Sequence, residues 1–304
     1  TGDLPDAAIG STRVNLPWPR VSKTHWVALA TAAHIGGRTV TRLLARFGSL
    51  EAALAAEEDD LLAVPGIGPR TSQAIRSIDL PAVEADIIRF EEQRIRIILW
   101  DDAEYPASLL ALDDAPPVLF ARGRLEPQDS RAVAIVGTRT PTPLGAALAE
   151  ALGYALAQAG WTVISGLALG IDGAAHMGGL RAGGRTLAVL GCGLNRVYPP
   201  VHRGLAHQIV GQGALLSEVH PEATVSAQQL MARNRLTSGL SRAVLVIEAA
   251  QDSGSLSTGR RARAQGRAVF AVAGGDTGCE ELLRDGATPI LPGEEGIHTL
   301  LDQL

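Results

Sequence analysis

Arg131-Ala-Val-Ala-Ile-Val-Gly137-Thr138-Arg139-Thr-Pro-Thr142-Pro143-Leu-Gly145 decides how this chain reads. Ala132 to Val136 is a short apolar run that stops at Gly137, the pattern of a strand buried on both faces of a parallel sheet. Thr142 suits the cap of the next helix. Pro143 suits its first residue, where a missing N–H costs nothing. Leu144 to Gln158 then reads as that helix, closed by Gly160. Strand, tight turn and helix bring backbone N–H groups together at the strand's carboxyl end, which favours an anion. Arg139 adds a planar fork of donors matched to phosphate. An ordinary surface arginine on a loop is the competing reading. The stretch lacks the G-x-G-x-x-G spacing of a dinucleotide site. Thr138 and Arg139 stand where a second glycine would let a pyrophosphate touch the backbone. A phosphate is expected here, and neither NAD nor any other cofactor.

Outward from this stretch the same unit repeats. Further apolar runs lie at 161–165, 186–190, 214–217, 243–247, 268–272 and 289–291, with helical segments between them. Alternating strands and helices imply a doubly wound parallel sheet. Ligands on such sheets bind outside the carboxyl ends of the strands. Upstream, Ile95–Leu99 and Pro117–Phe120 read as strands that widen the sheet. Before them, helical spacing begins near Thr24. Leu61 to Ile75 reads helix, Pro65-Gly-Ile-Gly68 turn, helix, the pattern of a helix-hairpin-helix, and His34-Ile-Gly-Gly resembles a degenerate first copy. Glycines in such a hairpin let a phosphate approach. A packing module whose hairpins only turn corners is the other reading, supported by the acidic run Glu57 to Asp60. The division expected is a flexible leader at 1–23, an all-α domain at 24–93 and the α/β domain at 94–304.

The chain has 304 residues and a formal net charge of −5, so overall charge gives no support to nucleic-acid binding. The charge is uneven. Seven arginines between 233 and 267 face only Glu248 and Asp252, and a local patch can hold phosphates on an acidic chain. Lys23 is the only lysine, so arginine bias itself says little. No apolar run reaches membrane-spanning length. The start, Thr1-Gly-Asp-Leu, is no signal peptide, and it lacks Met, as a fragment would. Two cysteines make neither a disulfide framework nor a zinc site, and a reducing, cytoplasmic setting is expected.

Three further motifs bear on function. In Ser165-Gly166-Leu-Ala-Leu-Gly170-Ile-Asp172-Gly-Ala-Ala-His176, Asp172 suits a helix cap and His176 lies one turn on. They read as a structural pair, with a catalytic or metal-binding pair as the alternative, and no third ligand lies nearby. Arg233-Asn234-Arg235 offers many donors and one acceptor, suited to a phosphate with a sugar or base edge, or to an exposed helix face. Ser253-Gly254-Ser255-Leu-Ser257-Thr258 opens a helix with hydroxyls at a free amino end, a second anion site. With Arg139 they form a line of phosphate sites along one sheet rim, which suits a strand better than one nucleotide.

Taken together these motifs resemble the DprA (Smf) family. The resemblance rests on Val136-Gly-Thr-Arg139, Ser165 to His176, Leu187 to Gly193 with Tyr198-Pro199, and Leu216-Ser-Glu218. It continues through Arg233 to Leu240, Val246-Ile-Glu248, Ser253 to Thr258 and Gly266-Arg-Ala-Val-Phe-Ala, and spans roughly residues 24–295. It implies an extended Rossmann-like domain after a SAM-like helix-hairpin-helix module. It also implies a homodimeric, non-enzymatic binder of single-stranded DNA that loads RecA onto SSB-covered strands in natural transformation. Carried over, the DNA-binding residues are Gly137, Thr138, Arg139, Ser165, Gly166, Arg233, Asn234, Arg235, Ser253, Gly254, Ser255 and Thr258. The family usually has Phe-Pro shortly before Arg-Asn-Arg, where this chain has Leu230 and Met231. Many members also carry a carboxy-terminal winged-helix module, which the residues up to Leu304 do not include. A nucleotide sensor in the same pocket is the alternative. The related nucleotide phosphoribohydrolases use a glutamate where alignment puts Arg261, and a cation cannot act as that base.

Overall fold

The computed structural model describes residues 22–274, 276–291 and 293–304. The leader expected at 1–23 therefore lies, but for its last two residues, outside the described residues. Six helices come first: α1 Lys23–Thr31, α2 Gly37–Phe47, α3 Leu50–Leu54, α4 Glu58–Leu62, α5 Pro69–Arg76 and α6 Leu80–Glu92. Then follow β1 Arg96–Leu99, α7 Ala107–Leu110, β2 Val118–Gly123, β3 Ala132–Val136, α8 Pro143–Gln158, β4 Thr162–Ser165, α9 Ile171–Arg181 and β5 Thr186–Val189. The chain continues through α10 Arg203–Gln212, β6 Ala214–Ser217, α11 Ala227–Gly239, β7 Ala243–Val246 and α12 Gly254–Ala264. It closes with β8 Ala268–Val272, α13 Thr277–Arg284, β9 Thr288–Ile290 and α14 Glu294–Gln303.

The nine strands form one sheet in the order β1-β2-β6-β5-β4-β3-β7-β8-β9. From β6 to β9 all neighbours are parallel. β2 runs antiparallel to both β1 and β6, so the sheet is mixed rather than wholly parallel. The chain winds from β3 through β4 and β5 to β6 on one side, then returns to place β7, β8 and β9 on the other. The order therefore reverses between β3 and β7, and a crevice opens there at the carboxyl ends. β3 is buried along its whole length. Val133 and Ile135 face one apolar core, while Ala132, Ala134 and Val136 face the other.

Thr142 caps α8 as its sequence predicts: its Oγ1 accepts from the Gly145 amide at 3.0 Å, and Pro143 is the first helical residue. The amino-terminal helices share the core of the sheet's antiparallel end. Trp26 meets Trp100 edge-on at 5.6 Å, and Phe90 of α6 meets Phe120 of β2 edge-on at 6.0 Å. Trp26, Phe90 and Phe120 are almost fully buried. Residue 93 thus marks a change of architecture without a gap in the packing.

Helices α4 and α5 form the expected hairpin, whose Gly66 has φ +82°. There Arg42 Nη1 donates to the Pro65 carbonyl at 2.8 Å, and a Cβ on Gly66 would come within 2.3 Å of it. Arg46 pairs with Asp60 and Arg76 with Glu58. These three cations are engaged inside the module, which favours the packing reading of the hairpin.

Candidate nucleic-acid interface

At the crevice between β3 and β7 lies an open basin of about 330 Å³. Its floor is the turn after β3, Val136 to Arg139, with Gly166 and Ala168 from the loop after β4. One wall is the amino end of α12, Ser253 to Ser255 with Thr258. Helix α11 contributes Leu230, Met231, Arg233, Asn234 and Thr237 to the lining.

Arg233 dominates the electrostatics. It is 6 % exposed, and its Nη1 donates to the Val189 carbonyl. Its Nε has no hydrogen-bond partner, and the guanidinium forms no ion pair with any described residue. Burial pulls its pKa down, opposed by the buried carboxylate of Asp172 and reinforced by the charge of Arg139. An arginine nevertheless stays charged at neutral pH. Thr237, one turn along α11 on the same face, is also buried with an unpartnered Oγ1. Gly166 makes room for this arrangement, because a Cβ there would lie 1.9 Å from Arg233 Nη1. At α12, Ser253 Oγ accepts from the Leu256 amide at 3.2 Å, while the amides of Gly254 and Ser255 have no partner among the described residues. Free helix N–H groups, a buried guanidinium and a hydroxyl therefore converge on one space, which suits an anion with several oxygens.

Most of the sequence-predicted residues meet here. Gly137, Thr138, Arg139, Gly166, Arg233, Asn234, Ser253, Gly254, Ser255 and Thr258 line the basin, and Arg139 is exposed at its edge. Two predicted residues do not line it. Ser165 is fully buried beneath the rim, its Oγ donating to the Ile135 carbonyl at 2.6 Å. Arg235 points elsewhere, bound to Asp114 at 3.1 Å and Glu218 at 2.6 Å. Residues 233 and 235 lie about 200° apart around a helix, so only one can face the crevice.

Two local readings also change. The amino end of α8 holds an anion of the protein's own. The Glu248 carboxylate accepts from the Thr142 amide at 3.0 Å and from its hydroxyl, and a Cβ on Gly145 would come within 2.1 Å of it. The free helix end is that of α12. Nor does Asp172 cap α9 or pair with His176. Gly170, with φ +77°, is the cap. Asp172 reaches back to the amides of Gly166 at 3.0 Å and Ala168 at 3.2 Å, fixing the loop under the basin. His176 Nδ1 meets Thr186 Oγ1 at 2.6 Å, and burial pushes its pKa down to about 3, so it stands neutral in the core. Among the described residues, no group of three His, Cys, Asp or Glu side chains is placed to hold a metal. Sequence reasoning missed Ala168 and Thr237. The four-residue step from Arg233 was the available signal for Thr237.

The profile of the family described as DNA recombination-mediator protein A matches residues 96–301, and that of a SAM-like helix-hairpin-helix tandem matches 28–77. The chain belongs to the DprA/Smf family. Protein Smf of Synechocystis is 36 % identical over 92 % of this chain and 74 % of its own length. Protein Smf of Escherichia coli is 39 % identical over 78 % of this chain and 67 % of its own length. The structure of DNA processing protein A (DprA) from Streptococcus pneumoniae superposes with a TM-score of 0.78 at 29 % identity, covering 92 % of this chain and 98 % of that one. The Helicobacter pylori DNA processing protein A, studied for its single-stranded DNA binding mode, superposes with a TM-score of 0.62 at 30 % identity, covering 69 % and 97 %. The mixed α/β sheet preceded by a SAM-like module is thus the architecture of DprA proteins. Among the described residues, no helix is long and apolar enough to cross a membrane.

Proposed function

We propose that the basin between β3 and β7 binds the phosphates of single-stranded DNA. One observation carries the reading: Arg233, Thr237 and the amino end of α12, with its free Gly254 and Ser255 amides, line one basin, and the Arg233 Nε and Thr237 Oγ1, both closed off from solvent, have no hydrogen-bond partner. The Asp172 carboxylate offsets part of the cost of burying this cation, and a phosphodiester in the basin adds a second opposing charge. The single-stranded DNA binding of the Helicobacter pylori relative points the same way. Guanidinium, hydroxyl and backbone amides are phosphate ligands and carry no base code, so binding is independent of sequence. Membership of a recombination-mediator family supports the wider role: a non-enzymatic cytoplasmic protein that loads RecA onto SSB-covered strands in natural transformation. Oligothymidine binding, competed by duplex and by a mononucleotide, tests the reading. A mononucleotide that displaces the strand at equal molar concentration favours a nucleotide sensor instead.

Arg139→Ala removes an exposed phosphate donor and leaves the core untouched. The expected loss is about 1.5–3 kcal/mol, the range for hydrogen bonds to charged groups, or roughly one to two decades in Kd. Arg139→Lys recovers part of it, because an ammonium lacks the bidentate fork. Titration of labelled oligothymidine, with circular dichroism as the fold control, checks both.

A two-fold homodimer is also part of the proposal. Its interface is assigned to residues 281–291, where β9 forms one edge of the sheet and Leu291 is 54 % exposed. Sedimentation at micromolar concentration is expected to give twice the monomer mass, and Leu291→Asp to shift it towards the monomer.

A further inference from the structure

The groups that suit phosphate in the basin are donors: the Arg233 guanidinium, the Thr237 hydroxyl and the free amides of Gly254 and Ser255. Asn234 lines the same space with a different task. Its Nδ2 donates to the Gly254 carbonyl at 3.3 Å. That carbonyl also accepts from Thr258 Oγ1 at 2.8 Å, so both its lone pairs are engaged and the side-chain amide is held with its nitrogen towards α12. Asn234 Oδ1 has no partner among the described residues, and it is not closed off from solvent. A carboxamide oxygen can only accept. The other side-chain oxygens of the lining that carry no proton belong to Asp172, which is 6 % exposed and accepts from the amides of Gly166 and Ala168. The basin thus holds one fixed, accessible acceptor among its donors.

A phosphate oxygen has nothing to offer that acceptor. It needs a donor on the ligand, and one close to a phosphate, because Gly254 supplies both the carbonyl that fixes Asn234 and one of the free helix amides. In a nucleic-acid strand the ribose 2′-hydroxyl meets both needs. Its carbon adjoins the one that carries the 3′-phosphate, whereas base N–H groups lie across the sugar. Deoxyribose has no hydroxyl there. We infer that the basin also takes single-stranded RNA, with Asn234 Oδ1 accepting from a ribose 2′-hydroxyl while the neighbouring phosphate rests on the amino end of α12. The inference rests on the phosphate reading of the basin and extends its ligands from deoxyribose to ribose strands. On DNA the Asn234 oxygen stays hydrated, so DNA is still bound and RNA is bound more tightly.

The experiment titrates the full chain with oligodeoxyuridine, oligouridine and 2′-fluoro-oligouridine of equal length. The first two differ only at the 2′ position. The third keeps the sugar pucker of RNA and lacks the donor. Wild type is expected to bind oligouridine about fivefold more tightly than oligodeoxyuridine, the scale of one net hydrogen bond, and to bind the fluoro strand no better than the deoxy strand. Asn234→Leu is expected to bring the ratio of ribo to deoxy affinity to one, whatever happens to each affinity alone. Equal binding of the ribo and deoxy strands by wild type overturns the inference. So does a ribo preference that survives in the fluoro strand or in Asn234→Leu. Because the fluoro strand is read on wild type, the test stands even where Asn234→Leu does not fold. Oligodeoxyuridine binding that depends on Arg139 would leave the phosphate reading standing in each of those cases. No binding of any strand by wild type would remove both.

Discussion

Arg233→Met is expected to weaken oligothymidine binding by two to three decades in Kd while the protein remains folded. Truncating one partner of a buried charge pair costs about 2–5 kcal/mol, and each 1.4 kcal/mol is about a decade. Methionine fills much of the same volume, but it takes the opposing charge away from the buried Asp172 carboxylate, and removing one of two buried opposite charges is destabilising. Two local changes oppose each other in the free protein. The Val189 carbonyl loses its donor, which costs about 1 kcal/mol. The desolvated guanidinium is also gone, which offsets part of these losses, so the urea midpoint is expected to fall while the variant still folds. Arg235→Met serves as the contrast. That side chain is already neutralised by Asp114 and Glu218, so its removal is expected to cost stability and not to approach the binding loss of Arg233→Met. The check is a fluorescence titration of both variants with urea unfolding alongside.

The second large effect is on stability. A chain begun at residue 94 loses Phe90 from against Phe120 and Trp26 from against Trp100. Truncating one buried Phe or Trp costs about 3–5 kcal/mol, and a whole domain is stable by only about 5–15 kcal/mol. The shortened chain is therefore expected to lose more than about 6 kcal/mol. A chain begun at residue 79 keeps α6, with Asp79 as its cap, and falls between. Urea unfolding should rank the three as full chain, 79–304, 94–304. Where the shortened chains are folded, their oligothymidine affinity is expected to stay within about threefold of the full chain, because every residue of the basin follows residue 135.

The fold was largely legible because its signals are local. A buried parallel strand is a continuous apolar run, and Thr142-Pro143 marks a helix start in two residues. The direction of β2 was not legible, since an apolar run looks the same read either way. In the site, Gly137 to Arg139 and Ser253 to Thr258 were readable as turns at strand ends. The split between Arg233 and Arg235 is legible in helical angle alone, since residues two apart face nearly opposite sides of a helix. Glu248 was not readable as the partner of Thr142, because 106 residues separate them and only the pairing of β3 with β7 brings them together. Asp172 misled for a related reason: it carries a cap residue's chemistry but sits two residues inside the helix, serving a loop.

The central claim is that two arginines, one buried and one exposed, hold phosphate in the crevice between β3 and β7. The most direct test is the salt dependence of oligothymidine binding for wild type, Arg139→Ala and Arg233→Met. Each phosphate contact on a single strand contributes about −0.7 to the slope of log affinity against log salt. Each variant is therefore expected to bind more weakly with a slope shallower by about 0.7 than that of wild type. Wild-type affinity and slope in a folded Arg233→Met would contradict the account.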